Sequence, residues 1–189
     1  MTEIRMVVVG GSWGGLEAFG QVVASLDDCR GLALAIALHR AVDSPEGAVV
    51  RYLQARCGLP VTEVEDKDEI EPRRVYVAPA DYHLLVEPGY FALSTDAPVH
   101  RSRPSIDVLF ESAADAYGEQ SVAVVLTGAN DDGCRGLRHV KSRGGVTIVQ
   151  DPCSAVRREM PDAAIATGAV DQVLPLDQIT VVLNQMSRT

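Results

Sequence analysis

The sequence predicts an α/β domain: a mostly parallel sheet covered by helices on both faces, with a small antiparallel insert. Three observations carry this prediction. Residues 6–9 and 32–38 are wholly apolar runs flanking a stretch with helical spacing, so the start of the chain reads as one βαβ unit. Uninterrupted apolar strands suit a parallel sheet, where neither face meets water. Around Pro88-Gly89, two short β-like runs meet at a hairpin turn.

The elements follow in order. After the strand at 6–9 comes the turn Gly10-Gly11-Ser12-Trp13-Gly14-Gly15, and then Leu16, Phe19, Val23 and Leu26 mark one buried helix face. The run 32–38 ends at His39-Arg40. Ser44-Pro45 is expected to open a helix, serine as N-cap and proline at the first helical position, with Gly58 closing it. Residues 60–64, 75–78, 84–87 and 90–94 are short strand signals, expected as an antiparallel insert or edge. Arg103-Pro104-Ser105 precedes a helix bearing Val108, Leu109 and Ala113, which Gly118 ends. Residues 122–126 return to a buried strand, 127–133 form a polar loop, and Leu137 and Val140 lie on the next helix. Gly144-Gly145 cap it, 146–149 form a strand, and a helix runs from Met160-Pro161 to Gly168. A strand at 172–174 and a helix from near Asp177 complete the pattern.

At 189 residues the chain suits a single domain, 1–189, with a substantial core. A hydrophobic share of 47% excludes a disordered chain. A formal charge of −9 argues against nucleic acid as a partner. No apolar stretch is long enough for membrane insertion and no signal peptide precedes the first strand, so a cytoplasmic location is expected. Cys29, Cys57, Cys134 and Cys153 show no C-x-x-C spacing, which favours reduced thiols over a zinc or redox site. The acidic stretch 63–71 reads as a solvated loop.

Gly10-x-Ser12-x-Gly14 fits the G-x-S-x-G elbow, in which glycines permit a sharp strand-to-helix turn that exposes the serine. The helix start aims free N–H groups and a positive dipole end at the same place. The same turn also reads as a phosphate-binding loop with Ser12 as a mere N-cap. Ser12 breaks the dinucleotide pattern G-x-G-x-x-G, and no lysine follows for a P-loop. Ser12, His39 and the Asn130-Asp131-Asp132-Gly133 turn each follow a buried strand, the edge where open parallel sheets bind ligands. Together they suggest nucleophile, base and orienter. Each also has a plainer reading, the histidine as a loop residue and the acidic turn as a helix cap. His83, His100 and His139 are weaker base candidates. The order Ser…His…Asp differs from the Ser…Asp…His of α/β-hydrolases.

At this point the motifs resemble the catalytic domain of bacterial protein-glutamate methylesterases, the CheB family, over almost the whole chain. Gly10-Gly11-Ser12-Trp13-Gly14-Gly15 matches its nucleophile turn and Leu38-His39 its histidine segment. Val75-Tyr76-Val77-Ala78-Pro79-Ala80-Asp81-Tyr82-His83-Leu84 and Arg103-Pro104-Ser105-Ile106-Asp107-Val108-Leu109-Phe110 look like its middle segments. Leu126-Thr127-Gly128-Ala129-Asn130-Asp131-Asp132-Gly133 aligns with its aspartate loop.

The resemblance implies a doubly wound, mostly parallel sheet with a small antiparallel hairpin. It implies a Ser12–His39–Asp132 triad at the carboxyl ends of the strands, and oxyanion donors at the Trp13 and Ala129 backbone N–H groups. It implies hydrolysis of glutamate γ-methyl esters on chemoreceptor helical bundles with release of methanol, together with glutamine deamidation in many members, and no metal or cofactor. The family's usual receiver domain does not fit before the first strand, so the expectation is an excised domain or a stand-alone esterase, with a separate receiver domain as a candidate partner. Three positions depart from the family: Trp13 where a small residue or threonine is usual, Ala129 where methionine is common, and Asn130 where glycine is usual. Arg40, Arg101 and Arg103 are candidates for a basic rim toward acidic receptor helices. The alternatives are a catalytically silent binding or scaffolding module with the same fold, for which Trp13 is the main support, and a small-ester hydrolase.

Overall fold

The computed structural model describes residues 5–45 and 47–187. β1 (Arg5–Gly11), α1 (Gly15–Ala24) and β2 (Leu32–Leu38) form the opening βαβ unit. α2 (Ala48–Gln54), β3 (Val61–Glu63) and β4 (Arg74–Val77) follow, then the hairpin of β5 (His83–Glu87) and β6 (Tyr90–Ser94). The second half comprises α3 (Ile106–Tyr117), β7 (Ser121–Val125), α4 (Cys134–Ser142), β8 (Val146–Gln150), α5 (Glu159–Ala166), β9 (Gln172–Leu174) and α6 (Leu176–Met186).

Seven strands form one parallel sheet in the order β3-β4-β2-β1-β7-β8-β9. The alternation within β1 explains why both faces must be covered. Met6 and Val8 enter a core with Leu109 and Phe110 of α3, while Val7 and Val9 enter a second core with Phe19 of α1 and Leu183 of α6. The chain runs from β1 to β2, goes on to the margin strand β3, comes back to fill the gap between β3 and β2 with β4, and then crosses to the other side of β1 as β7. The loops leaving β1 and β7 therefore diverge around a crevice, the usual ligand position in open α/β sheets.

Two expectations are corrected. The second helix begins at Ala48, not at Ser44-Pro45, because Gly47 turns the chain with φ 65° immediately before it. The strands at 61–63 and 74–77 are parallel strands of the main sheet, β3 at its margin and β4 between β3 and β2, and among the named strands only β5 and β6 pair antiparallel. The hairpin buries Leu84, Val86 and Phe91 in the α3-side core. The acidic stretch is also partly structured: Asp66 accepts from the Leu93 N–H and Glu63 pairs with Arg40. All four cysteines are free. Among the described residues no helix is long and apolar enough to cross a membrane.

Candidate active site

Ser12 follows directly on β1, and its placement is fixed by main-chain contacts. Its N–H donates to Thr127 O at 2.9 Å, across the crevice, and its own carbonyl accepts from Gly15 N at 2.8 Å. The second contact turns the Ser12–Trp13 peptide so that the Trp13 N–H leaves on the side opposite the carbonyl, as a planar trans peptide requires. The Gly128–Ala129 peptide is held in the same manner. Gly128 O accepts from Met160 N at 2.9 Å, and the Ala129 N–H faces away from that bond. Among the described residues neither the Trp13 nor the Ala129 N–H has a protein acceptor. Glycine at position 128 gives room for this approach, since a Cβ there would lie 2.6 Å from Met160 Cε and 3.0 Å from Ser12 Cβ, and the Met160 thioether would have to shift.

Two buried side chains lock the frame. Thr127 Oγ1 lies 2.9 Å from Trp13 O and accepts from Arg157 N at 2.8 Å. Gln150 accepts the Thr127 N–H at 2.9 Å and donates to Ser154 O at 3.1 Å. The turn after β1, the loop after β7 and the segment before α5 are thus tied to one another by hydrogen bonds.

His39 follows β2, and Asp132 lies in the loop between β7 and α4. Their side chains meet, with His39 Nε2 2.7 Å from Asp132 Oδ2. A carboxylate can only accept, so Nε2 carries the proton and Nδ1 presents a lone pair when the ring is neutral. Ser102 Oγ and Asn130 Nδ2 approach Nδ1 at 3.3 and 3.4 Å, both long contacts. Among the described residues no hydrogen bond joins Ser12 to His39.

Asp132 is fully buried and is held by the first turn of α3. Its Oδ1 accepts from Ser105 Oγ and Asp107 N, both at 2.9 Å, and its Oδ2 accepts from Ile106 N at 2.8 Å in addition to His39. The otherwise unpaired N–H groups of a helix start thereby receive a carboxylate from a distant loop. Gly10 makes this possible: a Cβ there would lie 2.3 Å from Ile106 Cγ2, so only glycine lets α3 begin so close to β1. Burial alone would raise the Asp132 pKa, but the hydrogen bonds from His39, Asp107 N and Ile106 N together hold it below the ordinary value.

A second buried carboxylate lies beside it. Asp107 accepts from Gly136 N at 2.8 Å and lies 3.1 Å from His100 Nε2, yet burial pushes its pKa up, and the neighbouring Asp132 charge adds to the rise. His100 also reaches Asp131 at 3.3 Å. His100, Asp107 and Asp132 are close enough to share a cation. However, both Asp132 oxygens already accept two hydrogen bonds each, so the donor set suits N–H and O–H groups better than a metal.

The other histidines separate clearly. His83 is buried, accepts from Ser105 N at 3.2 Å on Nδ1 and donates to Ala97 O at 3.2 Å from Nε2. Ser105, His83 and Asp132 therefore form a second Ser/His/Asp contact, but Ser105 is fully buried and closed to any substrate. His139 pairs with Asp115 on the α3–α4 surface. The Cys134 thiol at the start of α4 is pushed up to about 11 by burial and nearby carboxylates, so it is no competing nucleophile at neutral pH. Of the three candidate rim arginines, Arg40 is engaged by Glu63 and Ala78 O, and Arg103 by Asp81, Thr95 O and Asp96 O. Arg101 is exposed and lines a cavity of about 270 Å³ beside His39.

Sequence reasoning missed Ser105, Asp107 and His100 as partners of this cluster. Ser105 carried a readable signal as the residue before a helix. The choice of a carboxylate 27 positions away as its partner has no local signature.

A parallel α/β domain with a serine turn, a histidine–carboxylate pair and two free N–H groups at one strand edge has the outline of an ester hydrolase. The comparisons specify which kind. The chain belongs to the CheB methylesterase family, whose profile matches residues 7–183. A relative in Leptospira interrogans is 42% identical over 174 residues, covering 92% of this chain and 90% of that protein. Protein-glutamate methylesterase/protein-glutamine glutaminase 5 of Anaeromyxobacter dehalogenans is 40% identical over 192 residues, covering 99% of this chain but 52% of that protein. The crystal structure of the Thermotoga maritima CheB methylesterase catalytic domain superposes with a TM-score of 0.93 at 30% identity, covering 97% of this chain and 99% of that one. The fold expectation, a mostly parallel sheet with a small antiparallel hairpin, is met.

Proposed function

We propose that this chain hydrolyses glutamate γ-methyl esters on the cytoplasmic helices of a chemoreceptor-type bundle, releasing methanol, and that it works in the cytoplasm. The observation that carries the reading is the 2.7 Å contact between His39 Nε2 and buried Asp132, which leaves Nδ1, met by long contacts alone, as the base nitrogen. Ser12 Oγ attacks the ester carbonyl and its proton passes to Nδ1. Asp132, kept ionised by the α3 N–H groups, stabilises the imidazolium that forms. The Trp13 and Ala129 N–H groups receive the developing oxyanion, each such donor contributing about 3 kcal/mol to the barrier reduction. His39 then protonates the leaving methoxide. A water attacks the acyl-enzyme with His39 as base, releasing free glutamate and restoring Ser12. With a glutamine substrate the same steps release ammonia.

Ser12 and His39 share no hydrogen bond in this structure, and the proton path forms on substrate binding, when the catalytic hydrogen bonds of hydrolase sites tighten. The test is methanol release from a methylated receptor cytoplasmic fragment by the parent protein and by Ser12→Ala. The expected result is a fall of about 10⁴-fold or more in the variant. A folded parent that releases no methanol from several methylated receptors but cleaves small esters would replace this reading.

A further inference from the structure

The crevice edge carries an unusual share of exposed apolar side chains. Among the described residues six large hydrophobic side chains are exposed, and four of them, Trp13, Val42, Tyr82 and Val156, lie on loops that follow β1, β2, β4 and β8. These are the loops around the candidate site. Trp13 is the chain's single tryptophan and is 67% exposed, although its main chain is fixed by the Thr127 Oγ1 contact to its carbonyl. Val156, 66% exposed, packs on the same turn, and a Cβ built at Gly14 would lie 2.7 Å from it. A solvent-exposed indole carried on a main chain fixed in this way has no packing role in the fold. It meets the description of an interface anchor, a large amphipathic side chain with little conformational freedom to lose. Apolar groups clustered on one rim mark an interaction surface rather than a small-molecule pocket.

Charge completes the pattern. On the His39 side the cavity holds three arginines, but Arg40 is neutralised by Glu63 and Arg103 by Asp81. Arg101 forms no ion pair or hydrogen bond among the described residues, so it offers an uncompensated positive charge in a protein with a formal charge of −9. Ser12 thus opens between an apolar shoulder and one free cation.

We propose that Trp13 is the anchor that seats an acidic, amphipathic helical surface over Ser12, with Val156 widening the apolar contact and Arg101 taking a carboxylate near the ester. This rests on the methylesterase reading and adds to it the means by which a macromolecular substrate is held.

The test uses the full chain with Ser12→Ala, so that substrate is bound but not consumed, and a fluorescently labelled, methylated receptor cytoplasmic fragment. Anisotropy of the label reports affinity, and the single indole reports its own environment. The expected results are a blue shift and reduced acrylamide quenching of Trp13 at saturating fragment. Adding Trp13→Ala should weaken affinity at least tenfold, Trp13→Phe should restore part of it, and Arg101→Ala should weaken it severalfold with loss of salt dependence. Binding with unmoved emission, or equal affinity for Trp13→Ala, would overturn the anchor and leave the methylesterase reading standing. A blue shift that grows with the protein's own concentration, without fragment, would assign the face to a second copy and overturn the proposal. No binding to the fragment would overturn this inference and the receptor reading together.

Discussion

The two sides of the crevice are built from different materials. On the Ser12 side the structure is almost entirely main chain: Ser12 N–H to Thr127 O, Gly15 N–H to Ser12 O, Met160 N–H to Gly128 O. On the His39 side it is almost entirely side chain, with Asp132 gathering His39, Ser105 and the α3 N–H groups, and Asp107 and His100 behind it. The first side depends on the chain path, which the buried Thr127 and Gln150 side chains secure. The second tolerates small shifts of path but depends on which atoms each residue brings. The departures from the family pattern follow this division. Trp13 and Ala129 fall on the main-chain side, and Asn130 falls where the two sides meet, its Oδ1 accepting from Asp132 N at 3.3 Å.

The sharpest attempt to break this contrast is Asp132→Asn. It preserves shape but lets the amide compete for the wrong face of His39, and kcat on methylated receptor should fall about 10⁴-fold. Retention of more than a tenth of the activity would show that the side-chain half is not essential. Gly128→Ala probes the other half through its path. The added methyl would collide with Met160 and Ser12, displacing the Ala129 N–H, and a loss on the order of 10²-fold is expected in single-turnover rates.

The two buried carboxylates make the third test, read in stability rather than activity. Asp132 is held below the ordinary carboxylate value, so its contribution is complete above the unfolded pKa and is lost as pH falls through the folded one. Asp107 is held above it, so its contribution is greatest in acid and is lost as pH rises from the unfolded value through the folded one. Urea denaturation across pH should therefore show opposite trends. Asp132→Asn should destabilise at pH 7 and converge with the parent in acid. Asp107→Asn, whose carbonyl can still accept from Gly136, should stabilise by about 1 kcal/mol at pH 7 and lose that advantage in acid. Parallel pH curves for the two variants would refute the assignment. The smallest effect is expected from Ala129→Met, which introduces the side chain that the resemblance leads one to expect there without touching the N–H. Esterase kcat/KM should change by no more than about threefold.

How much of this was legible in the sequence follows the same division. The apolar runs at 6–9 and 32–38 announced strands buried on both faces, because composition alone records that neither side meets water. The Pro88-Gly89 turn announced the hairpin. The helix at 48–54 was misplaced because Ser44-Pro45 offered good start chemistry and the decisive turn at Gly47 depends on where the chain must go next. The short strands β3 and β4 were harder still, since a short strand does not carry its pairing direction in its own residues. At the site, the motifs singled out Ser12, His39 and Asp132. The supporting cluster of Ser105, Asp107 and His100 stayed hidden because it depends on contacts between segments that only the fold brings together.

The position of β1 at the middle of the sheet has a consequence for how this domain fails. Its residues are paired on both sides, to β2 along Arg5–Gly11 and to β7 over most of that length, and the Ser12 amide continues the pairing to Thr127. Deuterium should enter those amides only through complete opening of the domain, whereas the three-residue strands β3 and β9 at the margins can fray on their own. Hydrolysis by a heated or mutated preparation should then count surviving molecules, each fully competent or wholly inert, with no weakened population between.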